Sequence, residues 1–154
     1  MQTYIAIVGS RSYPRPDLVQ AYVAGLSGGG CVVVSGGAPG VDSVAEEAAR
    51  AAGLETVVFH ADWETLGRRA GSICNEQIIQ RADRVVAFWN GHSRGTLNAV
   101  VLAIRAGLPI EIFGREGEAV ELDHALKVAR ERGVYDYLTA RAARAAAIKS
   151  LGMP

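Results

Sequence analysis

Cysteine is scarce in this chain. Cys31 and Cys74 are the two among 154 residues, too few and too far apart for a disulfide framework or a Cys-x-x-Cys site. An excess of one charge is also missing. The 16 basic and 16 acidic residues cancel, so the domain as a whole has no attraction for polyanions, and nucleic-acid binding would need a local patch. No apolar run reaches the length of a membrane span, and the N-terminus passes straight into "TYIAIVG" without a signal-peptide layout. These absences predict a cytoplasmic protein with no membrane partner. His60, His92 and His124 lack metal-ligand spacing, so neither a metal nor a cofactor is expected. No nucleophile elbow appears.

What is present is apolar material in short segments. Nearly half the residues are hydrophobic and 21% are charged, enough to build a core. Near-continuous apolar runs predict strands at 3–9, 31–35, 56–60, 84–89 and 109–113, each buried on both faces. Helical patterns fall between them at about 17–26, 41–52, 71–82 and 96–106. Strand and helix alternating in this way imply right-handed crossovers and a parallel sheet. The expectation is a Rossmann-like three-layer α/β/α domain over residues 1–114, with a five-stranded parallel sheet in the order 3-2-1-4-5. Residues 115–154 then form a C-terminal helical extension of two helices separated near Gly133, without a further strand. Its end carries Arg141, Arg144 and Lys149 and no acid. A cap over a sheet edge or a subunit interface is favoured there over a nucleic-acid arm, and a homo-oligomer, dimer or larger, is expected.

Ligands of open parallel sheets bind beyond the carboxyl ends of the strands, so the loops there hold the candidate residues. The first loop, "GSRSYPRP", offers a free backbone at Gly9, a hydroxyl at Ser10 that suits a ligand or a turn or cap, and a forked cation at Arg11 that suits phosphate or a surface ion pair. The second, "SGGAPGVDS", places Ser35, Gly36, Gly37, Ala38 and Gly40 before a helix whose start favours anions. Asp42, in the first turn, suits ribose hydroxyls or simply stabilises the helix start. The motif lacks the Gly-Lys-Ser/Thr of a Walker A loop and is not GxGxxG. After the third strand, Trp63 can stack on a base and Arg68 and Arg69 can hold phosphate, or the tryptophan packs in an interface and the arginines are solvated. Asn75 can reach the site or satisfy backbone. After the fourth strand, Arg94, Gly95 and Thr96 open a second helix start suited to an anion, with Thr96 as its possible cap. Cys74 is a candidate nucleophile, although a buried structural thiol is the commoner case.

The segments "IVGSR", "VVSGGAPGVD", "AGSICN", "ADRVVAFW" and "GTLNAVVLAIRAG", in this order over roughly residues 4–113, resemble the SLOG superfamily. That group includes the DprA/Smf DNA-processing proteins, the LOG "lysine decarboxylase-like" phosphoribohydrolases and the small YspA-like proteins. Asp62-Trp63 and Ala70-Gly71 are most similar to the YspA-like branch. The resemblance implies a site lined by Gly9, Ser10, Arg11, Ser35, Gly36, Gly37, Gly40, Asp42, Gly95 and Thr96, and a nucleotide-derived ligand. Two departures count against LOG-type hydrolysis: the LOG glutamate falls at Ala99, and the arginine that often precedes the asparagine is Cys74.

The leading expectation is therefore a binding protein of the sensor type for a nucleoside phosphate. A hydrolase of nucleoside monophosphates comes second. A DprA-like single-stranded DNA binder comes third, since net charge is zero and the Arg-Asn pair is missing. The ligand phosphate is expected between the Gly36–Gly40 backbone and the Gly95–Thr96 helix start, with Arg11 closing over it.

Overall fold

A computed structural model describes residues 1–139 and 151–152; Arg141, Arg144 and Lys149 lie outside the described residues. Five strands, β1 (Thr3–Gly9), β2 (Cys31–Ser35), β3 (Glu55–Val58), β4 (Arg84–Phe88) and β5 (Ile110–Phe113), form one sheet in the order β3-β2-β1-β4-β5. Every neighbouring pair is parallel. Fold class and strand order are as the sequence predicts, and the switch point lies between β1 and β4.

Because strand side chains alternate, β1, β2, β4 and β5 feed two cores, while the edge strand β3 has no fully buried residue and reaches one of them through Val57. Ile5, Ile7, Val33, Val86 and Phe88 pack with Val19, Val23, Val41, Ala45 and Ala49. These come from α1 (Pro16–Ala24) and α2 (Val41–Ala51). Ala6, Val8, Val34, Val85, Ala87 and Ile112 face the other way, toward Ile78, Leu97, Val100 and Val101. Those residues belong to α4 (Ala70–Arg81) and α5 (Arg94–Arg105). Phe88 anchors the first core through edge contacts with Tyr13 and Tyr22 and a stacked contact with Phe113 at 5.3 Å.

Two departures from the sequence reading concern the loops. Between β3 and α4 the chain makes a one-turn helix α3 (Trp63–Leu66) and a 3-10 turn at Gly67–Arg69. Asp62 starts α3 by accepting a hydrogen bond from the Thr65 N–H at 3.2 Å. A four-residue helix shows no periodicity for a sequence to display. After β5, residues 114–121 do not begin a helix. They turn back so that Val120 N–H donates to Ile112 carbonyl at 2.8 Å, with an isolated antiparallel bridge between Phe113 and Ala119. The extension's first helix, α6, therefore starts late, at Leu122–Glu131, and buries Ala125 and Ala129 against the α4–α5 side. A further helical turn follows Gly133. Among the described residues no helix is long and apolar enough to cross a membrane.

Candidate nucleotide-phosphate groove

The loops after β1, β2, β3 and β4 open onto one groove of about 730 Å³. Gly9, Arg11, Gly36, Ala38, Asp42, Trp63, Asn75, Arg94, Gly95 and Thr96 all line it. The fold thus brings together residues that are far apart in the chain. Arg68 also lines the groove, but Arg69 does not. Ser10, Ser35, Gly37 and Gly40 stand behind the wall rather than on it. Their work is positional.

Ser10 joins the two halves of the sheet. Its buried hydroxyl accepts from Asn90 N–H at 3.1 Å and lies 3.4 Å from the Thr96 hydroxyl. Thr96 in turn donates to the Ser93 hydroxyl oxygen at 3.0 Å. The α5 cap is therefore Ser93, whose side chain accepts from Thr96 N–H at 3.3 Å, and not Thr96 itself. Asn90 completes the loop, its side-chain Oδ1 accepting from His92 N–H and Ser93 N–H, both at 2.9 Å. Asn90 and Ser93 were missed in the sequence; Asn-Gly-x-Ser before an apolar helical run was the available signal.

The glycine loop answers to Asp42. The amides of Gly36 and Ala38 hydrogen-bond its carboxylate, the Ala38 bond being 3.2 Å. Gly37 N–H faces the Ser35 hydroxyl at 3.5 Å, and Ser35 itself donates to Glu46 at 3.0 Å. At the start of α2, Val41 N–H donates to Ser10 carbonyl and Ser43 N–H to Ala38 carbonyl. The expected open anion cradle on this loop is thus already filled by the protein's own groups. A first-turn aspartate four residues downstream can fold back onto the turn, and here it does. At Gly40, φ +85°, an added Cβ would collide with the backbone of Arg11, so the close approach the structure shows there is to the first loop. Gly37, at φ +68°, keeps its surroundings clear of His60, whose Nδ1 would be 2.5 Å from a Cβ.

Asp42 is nearly buried, and burial pushes its carboxyl up to about 7, with Glu46 adding to the rise and Arg11 opposing it. The Cys74 thiol is likewise raised by burial and by Asp42, to about 11, and donates to Phe59 carbonyl at 2.9 Å. A thiol so protonated is no nucleophile. Ala99 lines the groove with only a methyl, so no acid occupies the LOG glutamate's position.

Asn75 does both things considered for it. Its Nδ2 donates to Gly95 carbonyl at 3.2 Å and to Asn98 Oδ1 at 2.8 Å, and Asn98 Nδ2 donates to Ser72 at 3.2 Å. The Gly95 carbonyl can only accept, which fixes the amide's orientation. Among the described residues no donor meets the Asn75 Oδ1, an acceptor in the lining of the groove. By contrast, Arg94 is spent on structure, donating to Arg132 carbonyl at 2.7 Å, while Arg132 donates to His92 carbonyl. These bonds tie the α5 start to the end of α6. Arg11 and Arg68 make no ion pair or hydrogen bond among the described residues.

Three arginines and two histidines stand around one carboxylate in this groove. The charged side chains of the lining are therefore mostly basic. Among the described residues no group of three His, Cys, Asp or Glu could hold a metal ion.

Fold and groove define a Rossmann-like α/β domain with a polar, locally positive site at its switch point. The family model described as DNA recombination-mediator protein A matches residues 1–131, and the chain belongs to that family. The gene 61 protein of Mycobacterium phage D29 is 38% identical over 91 residues, spanning 55% of this chain and 73% of the phage protein. DNA processing protein A from Helicobacter pylori, solved for its unique single-stranded DNA binding mode, is 20% identical. The match covers 86% of this chain and 73% of that one with a TM-score of 0.63. DNA processing protein A from Streptococcus pneumoniae is 21% identical, over 73% of this chain and 50% of that one, at a TM-score of 0.61. At these identities the two structures show a shared fold.

Proposed function

We propose that this groove binds single-stranded DNA, holding one backbone phosphate at the α5 start between Arg11 and Arg68. The observation that carries this reading is the locally positive lining of an open groove in a chain of zero net charge. Family membership and the printed description of the Helicobacter pylori protein support it. This reverses the order expected from composition, where whole-chain charge placed DNA last. The phosphate moves away from the glycine loop, whose amides bond Asp42, to the Arg94 and Gly95 amides, which make no hydrogen bond among the described residues. A strand bound this way loses affinity as salt rises, because contacts to phosphate release counterions. Anisotropy titration of a labelled dT oligonucleotide across salt concentrations tests it. Arg11→Ala and Arg68→Ala should each flatten the log–log slope by about 0.7; a salt-independent affinity would rule the proposal out.

A second reading, a free nucleoside phosphate, rests on the Asn75 Oδ1. An acceptor in the groove suits a ribose hydroxyl or a base amine and repels phosphate. Competition of AMP against the dT oligonucleotide separates the two. Within the SLOG superfamily we assign the chain to the YspA-like branch, on Asp62-Trp63 and Ala70-Gly71. We further propose that residues 1–114 form the Rossmann-like body, that 115–154 extend the same domain, and that the chain forms a homo-oligomer, which sedimentation would test.

A further inference from the structure

Among the described residues five large hydrophobic side chains are exposed: Met1, Trp63, Leu122, Tyr137 and Leu151. The two aromatic ones, 52% and 44% exposed, line the same groove. They come from unrelated parts of the chain, and each is held from behind. Trp63 sits in the capped turn α3 with the edge of its indole over Gly71, where an added Cβ would lie 3.3 Å from Cη2. Any larger residue at 71 would push the ring outward. Tyr137 lies in the turn after α6 whose Val134 and Leu138 are buried in the core. Arg94 and Arg132 latch that segment to the β4–α5 loop. Exposed rings on fixed supports, beside a positive floor, are what a nucleobase stacks on, since every base has a π-face.

We infer that Trp63 and Tyr137 form the base-binding side of the groove, stacking bases of the strand whose phosphate lies against Arg11 and the α5 start. This rests on the single-stranded DNA reading. It assigns to the C-terminal extension a contact with the ligand, and so makes the groove incomplete without residues past Gly133. The groove should then discriminate a strand with bases from its bare backbone.

The test uses the full chain and two labelled oligonucleotides of equal length, one of dT and one wholly abasic, at one salt concentration. The parent should bind dT at least tenfold more tightly than the abasic strand. Trp63→Ala and Tyr137→Ala should each weaken dT binding about fivefold or more and leave abasic binding unchanged, which also shows that both variants are folded. Tyr137→Phe should bind dT like the parent. Equal affinity of the parent for both strands overturns the inference. So does parental dT affinity in both alanine variants, or a parallel loss on both strands. Binding of neither strand by the parent defeats the DNA reading itself, and with it this one.

Discussion

Replacing Asp42 by asparagine isolates one buried charge. The neutral acid and the amide can both accept from the Ala38 N–H, so the loop geometry survives the change. What disappears is the titration. An ordinary aspartate at 3.8 is raised in the native state to about 7, so between those values the folded chain keeps a proton that the unfolded chain has lost. Stability then falls as pH rises through this window and levels off above it. From pH 5 to pH 8 the native state should lose roughly 2.5 kcal/mol through this one group. Urea melts of parent and Asp42→Asn at each half-unit from pH 5 to 8 would measure it. The variant's advantage over the parent should grow by that amount, about 5–10 °C in Tm for a chain of this size. Glu46 and Arg11 face the same carboxyl and act on its titration; His60 and His92 line the groove in both proteins, so the difference between variants cancels them. In binding, ionised Asp42 opposes phosphate. Affinity for the dT oligonucleotide should fall more steeply across pH 7 in the parent than in the variant. A stability difference that is flat with pH, or that shrinks as pH rises, would refute the reasoning.

Gly40→Ala should destabilise the fold by about 2 kcal/mol or more, because a side chain at φ +85° is strained and meets the Arg11 backbone; denaturant melts would show it, with weaker dT binding at the temperature where the variant is still folded. Phe88→Ala removes the centre of an aromatic cluster and should cost about 3–5 kcal/mol by the same melts. Ser93→Ala takes away the α5 cap and should cost about 1 kcal/mol. That variant should also bind the dT oligonucleotide more weakly, since Thr96 and Ser10 lose the hydroxyl network that sets the helix start; unchanged binding would separate the cap from the site.

Periodicity and local composition were enough to read the sheet. Thr3–Gly9 and Cys31–Ser35 coincide with β1 and β2, and the other strands differ by a residue or two. Buried parallel strands are continuous apolar runs, and that signal is local. The loops facing the groove were also legible, because the rule that ligands sit beyond strand ends needs only the order of elements. What the sequence could not show was which polar groups were already satisfied. Whether the glycine-loop amides are open or held by Asp42, and whether Arg94 is free or latched to Arg132, depends on where chain segments apart in sequence meet. Whole-chain charge says nothing of the site for the same reason. Sixteen acids cancel sixteen bases in the sequence, but folding leaves a single carboxylate among the arginines of the groove. A net charge is a sum over residues, whereas a ligand meets only those charges that tertiary structure brings to one surface.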